Sequence, residues 1–239
     1  AAVADALDLE TIRVYENGVG AINLPYLASQ VGAHGTRSMH PSTLRRAANL
    51  FSRILDRPMA IENPHLLRTK AEMCALAPTS AWPSMMASRS CDSAFTSRRP
   101  RQPWNCGTCT SCLLRRQALL AGGLEEVDRG TDYATDFLVA RPAARTAPAD
   151  RTVEVMLAQA ARLQAATAAA GPFEALVRAF PDVALVASPG PDGRLAPPHK
   201  LVRMYRQYAD EWASISTDLV RKFMAPVHVE GDVSSVASA

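Results

Sequence analysis

Residues 59–73 read MAIENPHLLRTKAEM, and the reading of this stretch decides the fold. Met59 to Glu62 is a short apolar run closed by Asn63-Pro64, the pattern of a strand that ends in a turn. Thr69 stands three residues before Glu72, which is the spacing of a capping box, so a helix is expected from Thr69 through Leu76. Toward the N-terminus, Thr11 to Tyr15 (TIRVY) is a second β-branched run. It reads as a buried strand delivering Glu16-Asn17-Gly18 at its C-terminal end. The segment Gly20 to His40 is loop-like, carries Asn23, Tyr26, His34, Arg37 and His40, and gives way to a helix opened by Pro41. Leu44, Ala47, Ala48, Phe51, Ile54 and Leu55 form that helix's apolar stripe, with Arg45, Arg46 and Arg53 off it. Strand, helix, strand, helix is the rhythm of a parallel α/β sheet. Ligands of such sheets sit beyond the carboxyl ends of the strands. Both ends carry the same pair, Glu16-Asn17 and Glu62-Asn63, although these residues also serve as ordinary turn formers and helix caps.

Downstream of that unit, four of the five cysteines read C-x14-C-x2-C-x2-C: Cys91, Cys106, Cys109 and Cys112. An x2 spacing lets two thiolates reach one ion from a tight turn, and four thiolates close a tetrahedral zinc shell. Gly107 supplies the pliable backbone that such a turn needs. The expectation is one structural zinc ion, with no open position for a catalytic water. Two disulfides or a redox pair are the competing readings; disulfides belong with a secretory signal, and a redox pair needs only two cysteines after a strand. Cys74 lies in an apolar helical context and reads as a small buried hydrophobe.

Leu113 to Leu120 is expected to be helical and to stop at Gly122-Gly123. Arg129 to Asp150 reads as a linker, and three helices follow it. The first is Val153 to Ala169. The second opens at Pro172 with Phe173, Leu176, Val177 and Phe180 on one face. The last comes after the turn-rich stretch Ser188 to Pro198 and carries the stripe Leu201, Tyr205, Tyr208, Trp212, Ile215, Leu219 and Phe223. Such a stripe is a core face. The tail after Val227 reads as disordered.

The 239 residues are 48% hydrophobic and 6% aromatic, an alanine-rich balance that favours helices over sandwiches. A net charge of +3 is weak for a nucleic-acid binder. The arginine clusters Arg98-Arg99-Pro100-Arg101 and Arg115-Arg116 keep that reading as a minor alternative. No apolar run approaches the roughly 20 residues of a membrane span. No signal segment opens the chain, and the cytoplasm is expected. The chain does not open on Met, so it is expected to be a piece of something longer.

Three stretches in this order carry a resemblance: VYENGVGAINLPY followed by TRSMHP; IENPHLLRTKAEM; and SC before CGTCTSCLLRR. Together they resemble the 7-cyano-7-deazaguanine synthase family over about half the chain, Thr11 to Leu120. The form of the first loop looks like that of divergent relatives found in anti-phage defence operons. The resemblance implies an α/β fold, a Rossmann-like ATP-pyrophosphatase (adenine nucleotide alpha hydrolase-like) parallel sheet. Residues 1–124 would be its C-terminal part with the zinc loop, and residues 125–239 a linker plus an α-helical C-terminal extension. The implied activity is that of an ATP-dependent ligase. It adenylates the carboxylate of 7-carboxy-7-deazaguanine, using ATP with Mg2+, for amide or nitrile formation. Matching positions imply Lys70 and Arg115 or Arg116 as phosphate-facing cations and Glu16 and Asn17 facing the deazapurine or adenylate, with Arg37 and His40 as further candidates. The family's SGGxDS nucleotide loop is not in this sequence, so the activity would need that loop from a missing N-terminal part. The other reading is a catalytically incomplete, zinc-bearing module that binds a nucleotide or a protein. A protein acceptor or partner subunit and a homodimer are the expected associations.

Overall fold

The computed structural model describes residues 1–26, 37–76, 91, 105–129, 133–135, 147–187 and 196–224. His34, Arg98, Arg99, Arg101, most of the turn-rich stretch 188–198 and the tail beyond Val227 lie outside the described residues. The chain opens with helix α1 (Ala2–Ala6), strand β1 (Thr11–Arg13) and the short helix α2 (Gly18–Ile22). Helix α3 (Pro41–Ile54), strand β2 (Ala60–Glu62) and helix α4 (Lys70–Cys74) complete the first stretch. Then come α5 (Thr110–Ala121), α6 (Glu125–Arg129), α7 (Ala147–Ala168), α8 (Pro172–Ala179), α9 (Asp182–Ala187) and α10 (Pro198–Met224).

The sequence signals for the first stretch act as expected. Pro41 sits in the first turn of α3 behind His40, whose ring accepts the Ser42 N–H. Thr69 and Glu72 form both halves of the capping box on α4. β1 and β2 pair in parallel, with Thr11, Ile12 and Arg13 opposite Ala60, Ile61 and Glu62. Among the described residues the sheet has these two strands, and the chain is otherwise helical. β1 is not the buried strand expected. Thr11 and Arg13 are exposed and Ile12 is half-buried, because this sheet is not covered on both faces as larger parallel sheets are.

The main core lies among the helices. Met156 and Leu163 of α7, Leu176 of α8, Val183 of α9 and Leu201, Tyr205, Tyr208 and Trp212 of α10 are all at most 2% exposed within it. Val19 and Ile22 of α2 and Leu113 of α5 belong to the same cluster. The expected boundary at residue 124 is therefore not a boundary of the core: the C-terminal helices pack onto the sheet-bearing stretch. A smaller cluster, Ala71, Cys74, Ala118, Leu119 and Leu124, joins α4 to α5. Two helical features differ from expectation. α7 starts at Ala147, inside the expected linker, and α9 follows Pro181 where the sequence pattern marks no helix. Six residues are too few to display a helical period. Among the described residues no helix is long and apolar enough to cross a membrane.

Candidate functional site

The four cysteines converge. The Sγ atoms of Cys91, Cys106, Cys109 and Cys112 all lie within 4.8 Å of one another. Cys91 is 3.9 Å from Cys109, and Cys106 is 3.9 Å from Cys112. A disulfide would bring sulfurs to about 2.05 Å. The edge of a tetrahedron with sulfurs about 2.3 Å from its centre is about 3.8 Å. The separations thus have the scale of a four-sulfur metal shell, and all five cysteines are unbridged.

Local backbone builds this shell. Cys109 is the N-cap of α5, and its sulfur accepts the Cys112 N–H at 3.5 Å. The Cys106 sulfur accepts the N–H groups of Thr108 at 3.4 Å and Cys109 at 3.3 Å. The Cys91 sulfur accepts the Cys106 N–H at 3.3 Å. Such donors stabilise thiolate charge, which is the form a metal binds. Gly107 makes the turn with φ +82°, and a Cβ there would lie 1.9 Å from the Thr135 carbonyl oxygen. The turn requires glycine on both counts.

Arg115 and Arg116 form a buried collar under this shell. They are 2% and 5% exposed. The Arg115 guanidinium donates to the Cys112 sulfur at 3.7 Å. Arg116 pairs with Asp128 at 2.9 Å and lies over the Tyr133 ring at 4.4 Å. The Tyr133 hydroxyl donates to Asp128 at 2.8 Å, and burial pushes its pKa up to about 12. These two arginines, expected as phosphate-facing cations, have a sulfur, a carboxylate and a ring as neighbours among the described residues.

The other expected ligand residues fall into local groups. At the carboxyl ends of the strands, the Asn63 side chain donates to the Glu16 carbonyl at 2.8 Å and so ties β2 to β1. Asn17 caps α2 by accepting the Gly20 N–H at 2.8 Å, and its own amide groups donate to the Glu16 carboxylate. Arg37 pairs with Asp182 at 2.6 Å. His40 is 1% exposed. Burial, assisted by Arg37 and Arg45, lowers its pKa below the ordinary histidine value. Lys70 opens α4 half-buried, with no ion pair among the described residues.

A cleft of about 620 Å³ runs between α3 and β2. Pro41, Leu44, Arg45 and Ala48 line it from α3, Ile61, Glu62 and Asn63 from the strand, and Leu66, Leu67, Val186 and Ala196 from the other side. None of the expected ligand residues lines it. Arg45 is the lining group that the sequence pattern passed over. Its signal is the spacing Pro41, Leu44, Arg45, Ala48, which puts all four on one side of a helix.

Comparisons of the chain with family models, with curated proteins and with solved structures found no match. The site therefore stands on its chemistry. The described residues place four thiols where they can hold a metal ion, a polar group at the strand ends, and a mostly apolar cleft of ligand size.

Proposed function

We propose that this chain is a zinc-stabilised part of a 7-cyano-7-deazaguanine synthase-like ligase, acting on a deazapurine carboxylate with ATP. The observation that carries the reading is the four-cysteine cluster, which follows a parallel strand pair whose carboxyl ends are joined through Asn63 and Glu16. Zinc fits the cluster because four thiolates at tetrahedral spacing suit a soft-to-borderline ion that needs no open position. Its role there is structural: it would hold Cys91 to the N-terminus of α5. A carboxylate is a poor electrophile until adenylation supplies a leaving group. The chain's own residues would orient the deazapurine at the strand ends, with Glu16 and Asn17 facing it. Lys70 is the accessible cation for phosphate charge. Arg37 and His40 would act from the start of α3. The SGGxDS loop, the Mg2+ carried with ATP and any protein acceptor of the activated acyl group would come from outside this stretch of chain, as would a defence role.

A second reading, a zinc-bearing module that binds a nucleotide or protein without chemistry, is favoured by two observations. No SGGxDS occurs in the sequence, and Arg115 and Arg116 are buried around the metal site. One assay separates the two. The longest native form is incubated with ATP, Mg2+ and 7-carboxy-7-deazaguanine, with and without ammonium, while AMP and the deazapurine mass are followed. AMP with an amide or nitrile product supports the ligase. Absence of AMP from a protein that contains an SGGxDS loop and one equivalent of zinc rejects it in favour of the module.

A further inference from the structure

The cleft between α3 and β2 has a property that its apolar walls alone do not supply. Ladder bonds run from the Ala60 N–H to the Glu10 carbonyl and from the Val14 N–H to the Glu62 carbonyl, both at 2.8–2.9 Å. In a parallel ladder this alternation turns the main-chain groups of Ala60 and Glu62 toward β1. It leaves the N–H and C=O of Ile61 on the opposite edge, and Ile61 lines the cleft. An open strand edge offers a donor and an acceptor side by side, which is the complement of the edge of a purine-like ring. Arg45, also in the lining, has no ion pair among the described residues. Glu62, paired with Arg13 at 3.8 Å, and Asn63, whose side-chain oxygen accepts the His65 N–H at 3.0 Å, line the same cleft, and each carboxyl or amide oxygen has a further lone pair for a ring N–H group. The walls are aliphatic, from Leu44 and Ala48 on one side to Leu66 on the other. A volume of about 620 Å³ suits one such ring with a substituent.

We propose that this cleft binds a planar, purine-like heterocycle carrying one negative group, with the ring edge read by the Ile61 main chain and the negative charge met by Arg45. The ligand's class follows from the cleft; its identification as a deazapurine carboxylate rests on the ligase reading above, with Ile61 and Arg45 holding the ring and its charge here in place of Glu16 and Asn17, which do not line the cleft. The shared chemistry could equally come from a nucleotide phosphate, so both sources are offered as probes. Isothermal titration of the zinc-loaded protein is made with 7-carboxy-7-deazaguanine, with AMP, and with uncharged 7-deazaguanine. The variants are Arg45→Gln and Ala48→Trp, each accepted only with unchanged zinc content and a cooperative melt. One of the two anions is expected to bind saturably. Arg45→Gln should weaken it at least about tenfold, the scale of a lost charge-assisted hydrogen bond. Ala48→Trp, which fills the cleft, should abolish it. The proposal is overturned if neither anion binds, if the uncharged ring binds as tightly as the anion, or if both folded variants bind like the parent. The AMP-release assay separates this failure from that of the ligase reading. Binding that is lost in the variants without AMP release sinks the ligase and keeps the cleft. AMP release undisturbed by both variants does the reverse.

Discussion

The cysteine cluster and the junction around Glu211 both fasten helix α5, and they do so by opposite means. At its N-terminal end α5 is held by sulfurs, of which Cys106 and Cys109 accept from neighbouring backbone N–H groups and Cys112 accepts from the Arg115 side chain. Further along, Gln117 donates to Glu211 of α10 at 3.0 Å, across 94 residues. Thr69, the cap of α4, donates to the same carboxylate at 2.7 Å, across 142 residues, and Gln207 donates at 3.2 Å. Glu211 is 5% exposed. One fastening is a cluster of four thiols that can hold a metal ion; the other is a buried carboxylate met by three neutral donors from three helices. The difference teaches that α5 is a strut between two anchors. The C-terminal helices are built into the same body as the cysteine cluster and are not appended to it.

The largest effect expected from breaking this pair is metal removal. Structural zinc supplies on the order of 10 kcal/mol to small sites, more than a typical domain can spare. Chelation, or Cys112→Ser, should abolish the cooperative melt seen by circular dichroism. A chelated protein that melts unchanged would mean that the Glu211 junction alone holds α5. Next in size is Arg116→Met, which leaves the Asp128 charge buried with the Tyr133 hydroxyl but without its cation, at a cost of about 3–5 kcal/mol. Because Arg116 and Tyr133 brace the turn that carries the cysteines, zinc release timed by a colorimetric chelator should also quicken. A destabilised variant with parental release kinetics would confine the collar to packing. Glu211→Leu strands three donors and should cost about 2–4 kcal/mol. Denaturant melts should show this loss with the zinc equivalent intact, whereas loss of zinc in this variant would show the two anchors to be coupled.

The smallest expected effects are in the pH dependence, where two buried groups have opposite signs. Burial raises the Glu211 pKa above its ordinary 4.5, against the lowering effect of its three hydrogen bonds. The folded state thus keeps this proton longer than the unfolded chain. The stability it contributes is full below 4.5 and is lost as pH rises through the higher folded value. His40 is shifted down from 6.5, so the unfolded chain binds its proton first. Its contribution is full above 6.5 and is lost as pH falls through that value toward the folded one. The two contributions therefore oppose each other across the mildly acidic range, the Glu211 part falling as pH rises from 4.5 and the His40 part growing as pH rises to 6.5. Glu211→Gln is expected to make melting temperature climb more steeply with pH over that range, and His40→Asn to make it climb less or fall. Slopes unchanged in both variants would assign the titration to other groups.

Much of the local architecture was legible in the residues themselves. The capping box at Thr69 and Glu72, the proline at the head of α3, the turn at Gly107 and the four convergent cysteines all depend on contacts within a short span of chain, so spacing reports them. The stripe from Leu201 to Ile215 is core, as its period implies. The face on which Arg115 and Arg116 lie was not legible. Spacing names no tertiary neighbours, and it is Asp128, Tyr133 and the Cys112 sulfur that surround these guanidinium groups among the described residues. Glu211 offered no signal for a similar reason. A single acid in a helix becomes a junction only when α4, α5 and α10 bring three donors to it.

By itself, then, the sequence determined the cysteine shell, the caps that open α3 and α4 and the place of two short strands, because caps and close cysteine spacings involve neighbouring residues and a β-branched run marks a strand wherever it pairs. Only the tertiary structure decided that the C-terminal helices share one core with the N-terminal stretch, and that Arg45 lines a cleft. Burial and charge pairing are set by what packs against a residue, and that partner is named by the fold and not by position along the chain.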